Sequence, residues 1–384
     1  MAENFKMLAK TLYGMESVLA GELRNLGASR VREGVRCAFF EGDAGFMYKA
    51  NLCLRTALRI LKPIRTFRVR QPADLYDRIR EVPWGEFLDA RMTFVVDTVL
   101  HSDHFSHSLF VSQKVKDAIA DQFRERTGQR PSVSVSAPDV RIHLHLQGDT
   151  AHLSLDSSGD SLHRRGYRLQ TNKAPLNEVL AAGMLLLSGW RGQSDFLDPM
   201  CGSGTLLVEA AMIACNIPAN INRPGFGFQN WKDYDPALYN KIYQAVLERT
   251  RDFTYTLVGY DKAPSAVRKA RENIERAGLS QFISVSQEDF FKTEKQHGRP
   301  LFLICNPPYG ERLPVDIERF YKRWGDTLKQ SYTGTEAWIL TGNLEALKSG
   351  GLRTSKKIKL YNGSIESRLV QYKVYEGSRK AKKQ

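Results

Sequence analysis

An apolar run that stops against two prolines constrains this chain more than any other feature. Leu301 to Cys305 reads as a short buried strand, and Asn306-Pro307-Pro308-Tyr309 follows it directly. Neither proline nitrogen can donate to a sheet ladder, so the strand ends there. Asn306 is then held in a stiff turn at the strand's carboxyl end, the edge where open α/β sheets bind ligands. An amide followed by prolines and a phenol suits gripping a planar amino group and stacking the ring that bears it. A strand running into a plain Pro-rich turn would show the same letters, so the rest of the chain must decide.

Three upstream strands end in the same manner. Phe196 and Leu197 lead into Asp198-Pro199-Met200-Cys201-Gly202-Ser203-Gly204, and a helix starts at Thr205. Gly202 and Gly204 let backbone approach a ligand, and the helix N-terminus favours anionic groups. The third glycine of the dinucleotide fingerprint is missing, which disfavours NAD and FAD and leaves a smaller ligand such as S-adenosylmethionine. TLVGYD gives a second strand ending at Asp261, a carboxylate placed to accept both ribose hydroxyls. FISVSQEDF gives a third, with Asp289 just past it to take an adenine amino group and Phe290 to cover the ring. Later runs, AWILTG, KIKLYNG and RLVQYKVYE, would finish the sheet with an antiparallel pair.

The 384 residues suffice for two or three domains. Residues 1–50 read as a small α/β unit: a strand, a helix over 15–26, and a hairpin turning at Glu33-Gly34. A helix with a strand-like exit follows. Then come an amphipathic helix over 74–89 with Trp84 and Phe87 inward, a strand MTFVVDTVL, and a long helix at about 109–126. Two regular strands joined at Gly148-Asp149 close this α+β region.

Lysine and arginine outnumber acids 56 to 42, a net charge of +14, which points to a polyanionic partner, most simply nucleic acid. Arg164, Arg165, Arg168 and Lys173, interleaved with His163 and Tyr167, are candidate phosphate contacts in the segment leading into the second half; an ordinary solvated hinge is the plain alternative. No apolar stretch reaches the ~18 residues of a membrane span, and the N-terminus lacks the apolar core of a signal peptide. Five cysteines without a C-x-x-C pair argue against disulfides or a zinc knuckle, so a reducing cytoplasm is expected. His101, His104 and His107 stand three apart, but no acid or cysteine cluster completes a ligand set, so no metal is expected. Cys201 and Cys305 flank both motifs with no histidine nearby in sequence, and read as packing residues rather than nucleophiles.

The order D-P-M-C-G-S-G-T, ribose acid, E-D-F and N-P-P-Y resembles that of S-adenosylmethionine-dependent amino-methyltransferases. LHRRGYR, Ala174-Pro175-Leu176-Asn177 and INRPGFGFQNW narrow the resemblance to THUMP-domain RNA guanine-N2 methyltransferases, closest to the bacterial large-subunit (23S) rRNA enzymes. The resemblance implies a Rossmann-like class I methyltransferase domain, a seven-stranded α/β sheet with an antiparallel end, over residues 161–375. An α+β region would precede it, ferredoxin-like over 1–55 and a THUMP RNA-binding domain over 56–160, and a basic disordered tail would follow at 376–384. It assigns the cofactor S-adenosylmethionine to Asn177, Asp198, Cys201, Gly202, Gly204, Asp261, Asp289, Phe290 and Asn306. Catalysis falls to Asn306, the Pro307 carbonyl and Tyr309 stacked on the base; Arg312 and Lys322 are candidates to hold the displaced strand, or plain surface charges. Bacterial relatives often carry a second methyltransferase domain, and a sequence that stops without it reads as a single-activity version.

The chemistry is consistent. Guanine's exocyclic amine is a poor nucleophile because its lone pair spreads into the ring; two acceptors orient it and favour pyramidalisation as positive charge builds. Asn306 has no titratable proton, so it is no general base. The base must also leave its stack. Other readings stay open: the same product in tRNA, adenine N6, protein glutamine, or an RNA-binding assembly factor. Phe226, Phe228 or Trp231 could wall a base pocket, or form a structural clasp.

Overall fold

The computed structural model describes residues 3–168, 176–296, 298–307 and 317–375. The elements begin with β1 (Phe5–Lys10), α1 (Glu16–Leu26), β2 (Ser29–Gly34), β3 (Cys37–Gly42), α2 (Ala44–Cys53) and β4 (Arg59–Arg68). They continue with α3 (Pro72–Arg80), β5 (Thr93–His101), α4 (Ser108–Thr127), β6 (Ser132–Val133), β7 (Val140–Gln147) and β8 (Thr150–Asp156). Then come α5 (Glu178–Leu187), β9 (Asp195–Asp198), α6 (Thr205–Ala214), α7 (Pro236–Leu247), β10 (Leu257–Asp261), α8 (Pro264–Arg276) and β11 (Ile283–Gln287). Last are β12 (Leu301–Cys305), α9 (Ile317–Ser331), β13 (Glu336–Thr341), β14 (Lys356–Asn362) and β15 (Ile365–Lys373).

The chain forms two compact units, one of residues 1–11, 19–162 and 223–246, the other of residues 12–18, 163–222 and 247–384. The first unit holds one eight-stranded sheet, in the order β2-β3-β1-β4-β8-β7-β5-β6. β4 pairs with β1 on one side and β8 on the other, so no sheet boundary falls at the expected break between residues 55 and 56. Its ladder shifts register between Pro63 and Arg65, where the proline nitrogen cannot donate. The expected helix over 74–89 stops at Arg80, and Trp84 enters the core from a separate 3-10 turn ahead of which Pro83 stands. The hairpin turns at Val35-Arg36, two residues later than expected.

Residues 223–246, most of INRPGFGFQNW and α7, contribute to this first unit, although the sequence places them inside 161–375. Phe228 is fully buried and stacks on Tyr48 at 4.4 Å, with Phe226 and Tyr234 against it. Trp231 is buried as well. Phe226 and Phe228 thus fill a core, whereas Trp231 lines a surface cavity with Lys62, Phe87 and Leu155.

The second unit carries the seven-stranded sheet β11-β10-β9-β12-β13-β15-β14. β9 to β13 pair in parallel and β15 runs antiparallel to both neighbours, a class I methyltransferase topology. Leu197, Leu303, Ile304, Ile339 and Leu340 are buried on this sheet, which explains why its strands read as continuous apolar runs. All ten residues of α6 are buried, and apart from Thr205 and Glu209 that helix is apolar on every side.

Candidate active site

The parallel order brings four strand ends side by side at one carboxyl edge: Asp289 after β11, Asp261 ending β10, Asp198 ending β9 and Asn306 after β12. Backbone ties hold the edge together. The Cys201 N–H donates to Tyr260 O at 2.9 Å, and the Glu288 N–H to Asp261 O at 3.1 Å. Asp261 fixes the glycine turn by accepting the Gly202 N–H at 3.0 Å through Oδ2, and accepts the Ala263 N–H at 2.9 Å through Oδ1.

Gly202 and Gly204 both have positive φ, +54° and +81°. Gly204 is the N-cap of α6 and brings no side-chain cap, so the helix presents its first amides without a protein oxygen from that residue. A Cβ on Gly204 would lie 3.3 Å from the Ala270 Cβ. Gly204→Ala should therefore lower stability by about 1–2 kcal/mol, read as an earlier urea transition; an unchanged midpoint would show that the turn relaxes freely.

Asp198 is buried, and its Oδ1 accepts the Met200 N–H at 3.3 Å. Burial, with the Asp261 charge adding to it, pushes its carboxyl up to about 8, so the free protein holds it protonated at pH 7. Burial also pushes the Cys201 and Cys305 thiols well up, which keeps both neutral and makes them packing groups. Asn306 is half-buried, and its Oδ1 is shielded from solvent without a hydrogen-bond partner among the described residues. Pro307 is buried beside it. Tyr309, Pro308 and Arg312 lie outside the described residues, as do Lys173, Ala174, Pro175 and the tail 376–384.

Asp289 caps a short turn by accepting the Phe291 N–H at 3.2 Å. Its Oδ2 lies 3.8 Å from Lys262 Nζ and 3.9 Å from an Arg323 amino group. Phe290, expected to cover a ligand ring, is 1% exposed and packs on Trp324 and Tyr332, each at 5.1 Å. The cap turns Phe290 into the core, and Phe291 is the ring left partly exposed, with the Arg323 guanidinium 4.2 Å above it. Asn177 caps α5, its side-chain oxygen taking the Val179 and Leu180 N–H groups.

Two of the arginines expected to contact phosphate do not face solvent. Arg165 is fully buried and paired with Glu209 at 3.1 Å, with Asn220 Oδ1 also at 3.1 Å. Arg168 is 10% exposed and reaches Glu178 at 2.9 Å. Arg164 is exposed, as is Lys322. From 164 to 167 exposure alternates out, in, out, in around a bend at Gly166, whose φ is +96°, and Arg165 and Tyr167 are the two buried side chains. The His101 ring meets His145 edge-on at 5.9 Å, and among the described residues no group of three or more His, Cys, Asp or Glu is arranged to hold a metal ion. No helix among them is long and apolar enough to cross a membrane.

Comparison with known proteins agrees with this geometry. Residues 165–371 match the RMKL-like methyltransferase domain, residues 69–156 the THUMP domain, and residues 6–61 the RlmL ferredoxin-like domain. A Ribosomal RNA large subunit methyltransferase K/L of Syntrophotalea carbinolica is 41% identical over 97% of this chain and 54% of its own length. The Methylococcus capsulatus protein of the same name is 41% identical over 94% of the chain and 50% of its length. The chain thus spans about half the length of the curated relatives it matches. Among solved structures, SMU.472, crystallised with SAH and described as a candidate methyltransferase, is 30% identical with a TM-score of 0.87, covering 98% of this chain and 100% of that one. A methylase candidate from Clostridium difficile 630 is 28% identical with a TM-score of 0.88, covering 98% and 100%. The chain belongs to the RMKL-like methyltransferase family and is a methyltransferase, with RlmL ferredoxin-like and THUMP domains preceding its catalytic domain.

Proposed function

We propose that this chain transfers the methyl group of S-adenosylmethionine to the exocyclic N2 of a guanine in large-subunit ribosomal RNA. The observation that carries the reading is the Asn306 amide oxygen, desolvated and unpartnered among the described residues at the edge where Asp198, Asp261 and the glycine turn meet. A buried acceptor left open costs stability and is retained where a donor will arrive. The uncapped α6 N-terminus, the buried Asp198 and the Gly202 turn fit the cofactor equally well. When bound, S-adenosylmethionine supplies an electrophilic methyl group.

The rest is work for the protein. Asp198 receives the cofactor's ammonium and Asp261 its ribose hydroxyls. Asn306 Oδ1 and the Pro307 carbonyl accept the two protons of the guanine amine, turn its lone pair toward the methyl and stabilise the charge that builds on nitrogen. The spare proton leaves to solvent after transfer. Residues 1–55 and 56–160 bring the RNA and 161–375 carry the chemistry, with 223–246 serving the N-terminal unit. Charge of +14 and the curated relatives' printed name support RNA as the partner, and a cytoplasmic site of action goes with that substrate.

The test is transfer of labelled methyl to RNA from a strain lacking the gene, with rRNA and tRNA separated and digested to nucleosides. Label in N2-methylguanosine of the large rRNA is expected; the same nucleoside from tRNA would move the substrate, and N6-methyladenosine would overturn the base assignment.

Cofactor affinity should depend on pH with a fixed sign. Asp198 holds its proton below about 8 in the free protein, whereas an ammonium needs it ionised, so binding expels a proton. The dissociation constant for S-adenosylhomocysteine should fall about tenfold per pH unit from pH ~6 to ~8 and level off above. Calorimetry in buffers of different ionisation heat should register the released proton, and a flat profile would place the ammonium elsewhere.

A further inference from the structure

Arg168 has more hydrogen-bonding capacity than the described residues use. Its Nη2 donates to Thr205 Oγ1 at 2.8 Å and to Leu176 O at 3.3 Å, and pairs with Glu178 at 2.9 Å. Nε and Nη1 are shielded from solvent and find no acceptor among the described residues, although the side chain is only 10% exposed. Burying charged N–H groups without acceptors is costly, so these two groups call for a partner. Burial also pushes the Glu178 carboxyl above its ordinary range, which weakens the one acid beside the guanidinium.

The place of these groups identifies the partner's charge. Thr205 is the first residue of α6, directly after the uncapped Gly204, and Leu176 and Glu178 flank the Asn177 cap of α5. Both helices direct positive ends toward this spot. Asp198 stands at the other end of the 199–204 turn, with the opposite formal charge. A turn bracketed by a buried acid and a buried guanidinium matches a zwitterion, ammonium toward Asp198 and carboxylate toward Arg168.

We infer that Arg168 receives the α-carboxylate of the cofactor's methionine through the N–H groups it has left. The inference rests on the S-adenosylmethionine reading above and adds to it the residue that recognises the amino-acid carboxylate. The competing account makes Arg168 a brace between α5 and α6 and nothing more. Both accounts predict that Arg168→Gln lowers stability, so stability does not separate them. Ligand discrimination does.

The experiment measures dissociation constants of S-adenosylmethionine and of its decarboxylated form, which keeps the ammonium and lacks only the carboxylate. Wild type should prefer the intact molecule by about 10- to 100-fold, the range of a charge-assisted hydrogen bond. In Arg168→Gln that preference should shrink to about threefold or less, mainly through weaker binding of the intact molecule. Arg168→Lys, which keeps the charge and carries the test if the glutamine variant does not fold, should retain part of the preference and lose the rest. A preference undiminished in the variants, or equal binding of both ligands by wild type, overturns the inference and leaves the cofactor reading intact. Failure of wild type to bind either ligand would remove the cofactor reading and the inference with it.

Discussion

Asn306→Ala should lower the rate of methyl transfer about 100- to 1000-fold while the dissociation constant for S-adenosylhomocysteine changes by no more than about threefold. Oδ1 is the atom at stake. It is buried, lacks a partner among the described residues, and follows a strand whose last residue, Cys305, is fully buried and so cannot shift cheaply. An acceptor held there matters little while the amine is planar and neutral, and most when positive charge develops on nitrogen. The loss should therefore fall on kcat rather than KM. Stability gives a second, independent sign. Removing a desolvated acceptor that has no hydrogen-bond partner among the described residues should leave the unfolding midpoint unchanged or slightly raised. A structural asparagine would behave in the opposite way, losing stability and activity together. A fall in kcat of less than about tenfold at unchanged stability would move the charge-stabilising role to other groups.

The parts of this site that were legible in sequence are those set by backbone rules. β9, β10, β11 and β12 are short, apolar and terminated by Asp-Pro, Asp, Glu-Asp and Asn-Pro, so their ends could be read without any tertiary knowledge. Gly202 and Gly204 were legible for the same reason, because positive φ leaves a residue-type signature. What sequence left open or missed depended on partners distant in sequence or on the direction a side chain takes from a turn. Phe290 and Phe291 are neighbours of one type, and only the cap on Asp289 decides which of them enters the core. Phe228 belongs with Tyr48, a partner on another part of the chain that no local pattern announces. Arg165 looked like its neighbour Arg164. A signal existed, however: Glu209 is the one charge in TLLVEAAMIA, and a lone acid in a helix apolar all round requires a buried cation.

That pairing carries the second large effect. Glu209→Leu should destabilise the protein by about 3–5 kcal/mol, because Arg165 would keep its charge in a fully buried position after losing the carboxylate it pairs with at 3.1 Å. The loss comes from the stranded cation rather than from any large net value of the ion pair, since desolvation of both groups offsets most of their attraction. The double replacement Glu209→Leu with Arg165→Met should therefore recover most of the stability that the single change removes. Urea unfolding followed by tryptophan fluorescence can read both, as the Trp190 indole donates to Ala210 O at 3.0 Å on the same helix. The same pair of variants decides what the arginines are for. If Arg165 contacted phosphate, the stable double variant would bind RNA more weakly, with a salt dependence shallower by about one charge. A buried brace predicts RNA affinity unchanged in the double variant, with any such loss confined to replacement of the exposed Arg164. Recovery of stability without loss of RNA binding would make Glu209 and Arg165 supports for α6, the helix that follows the Gly202 turn.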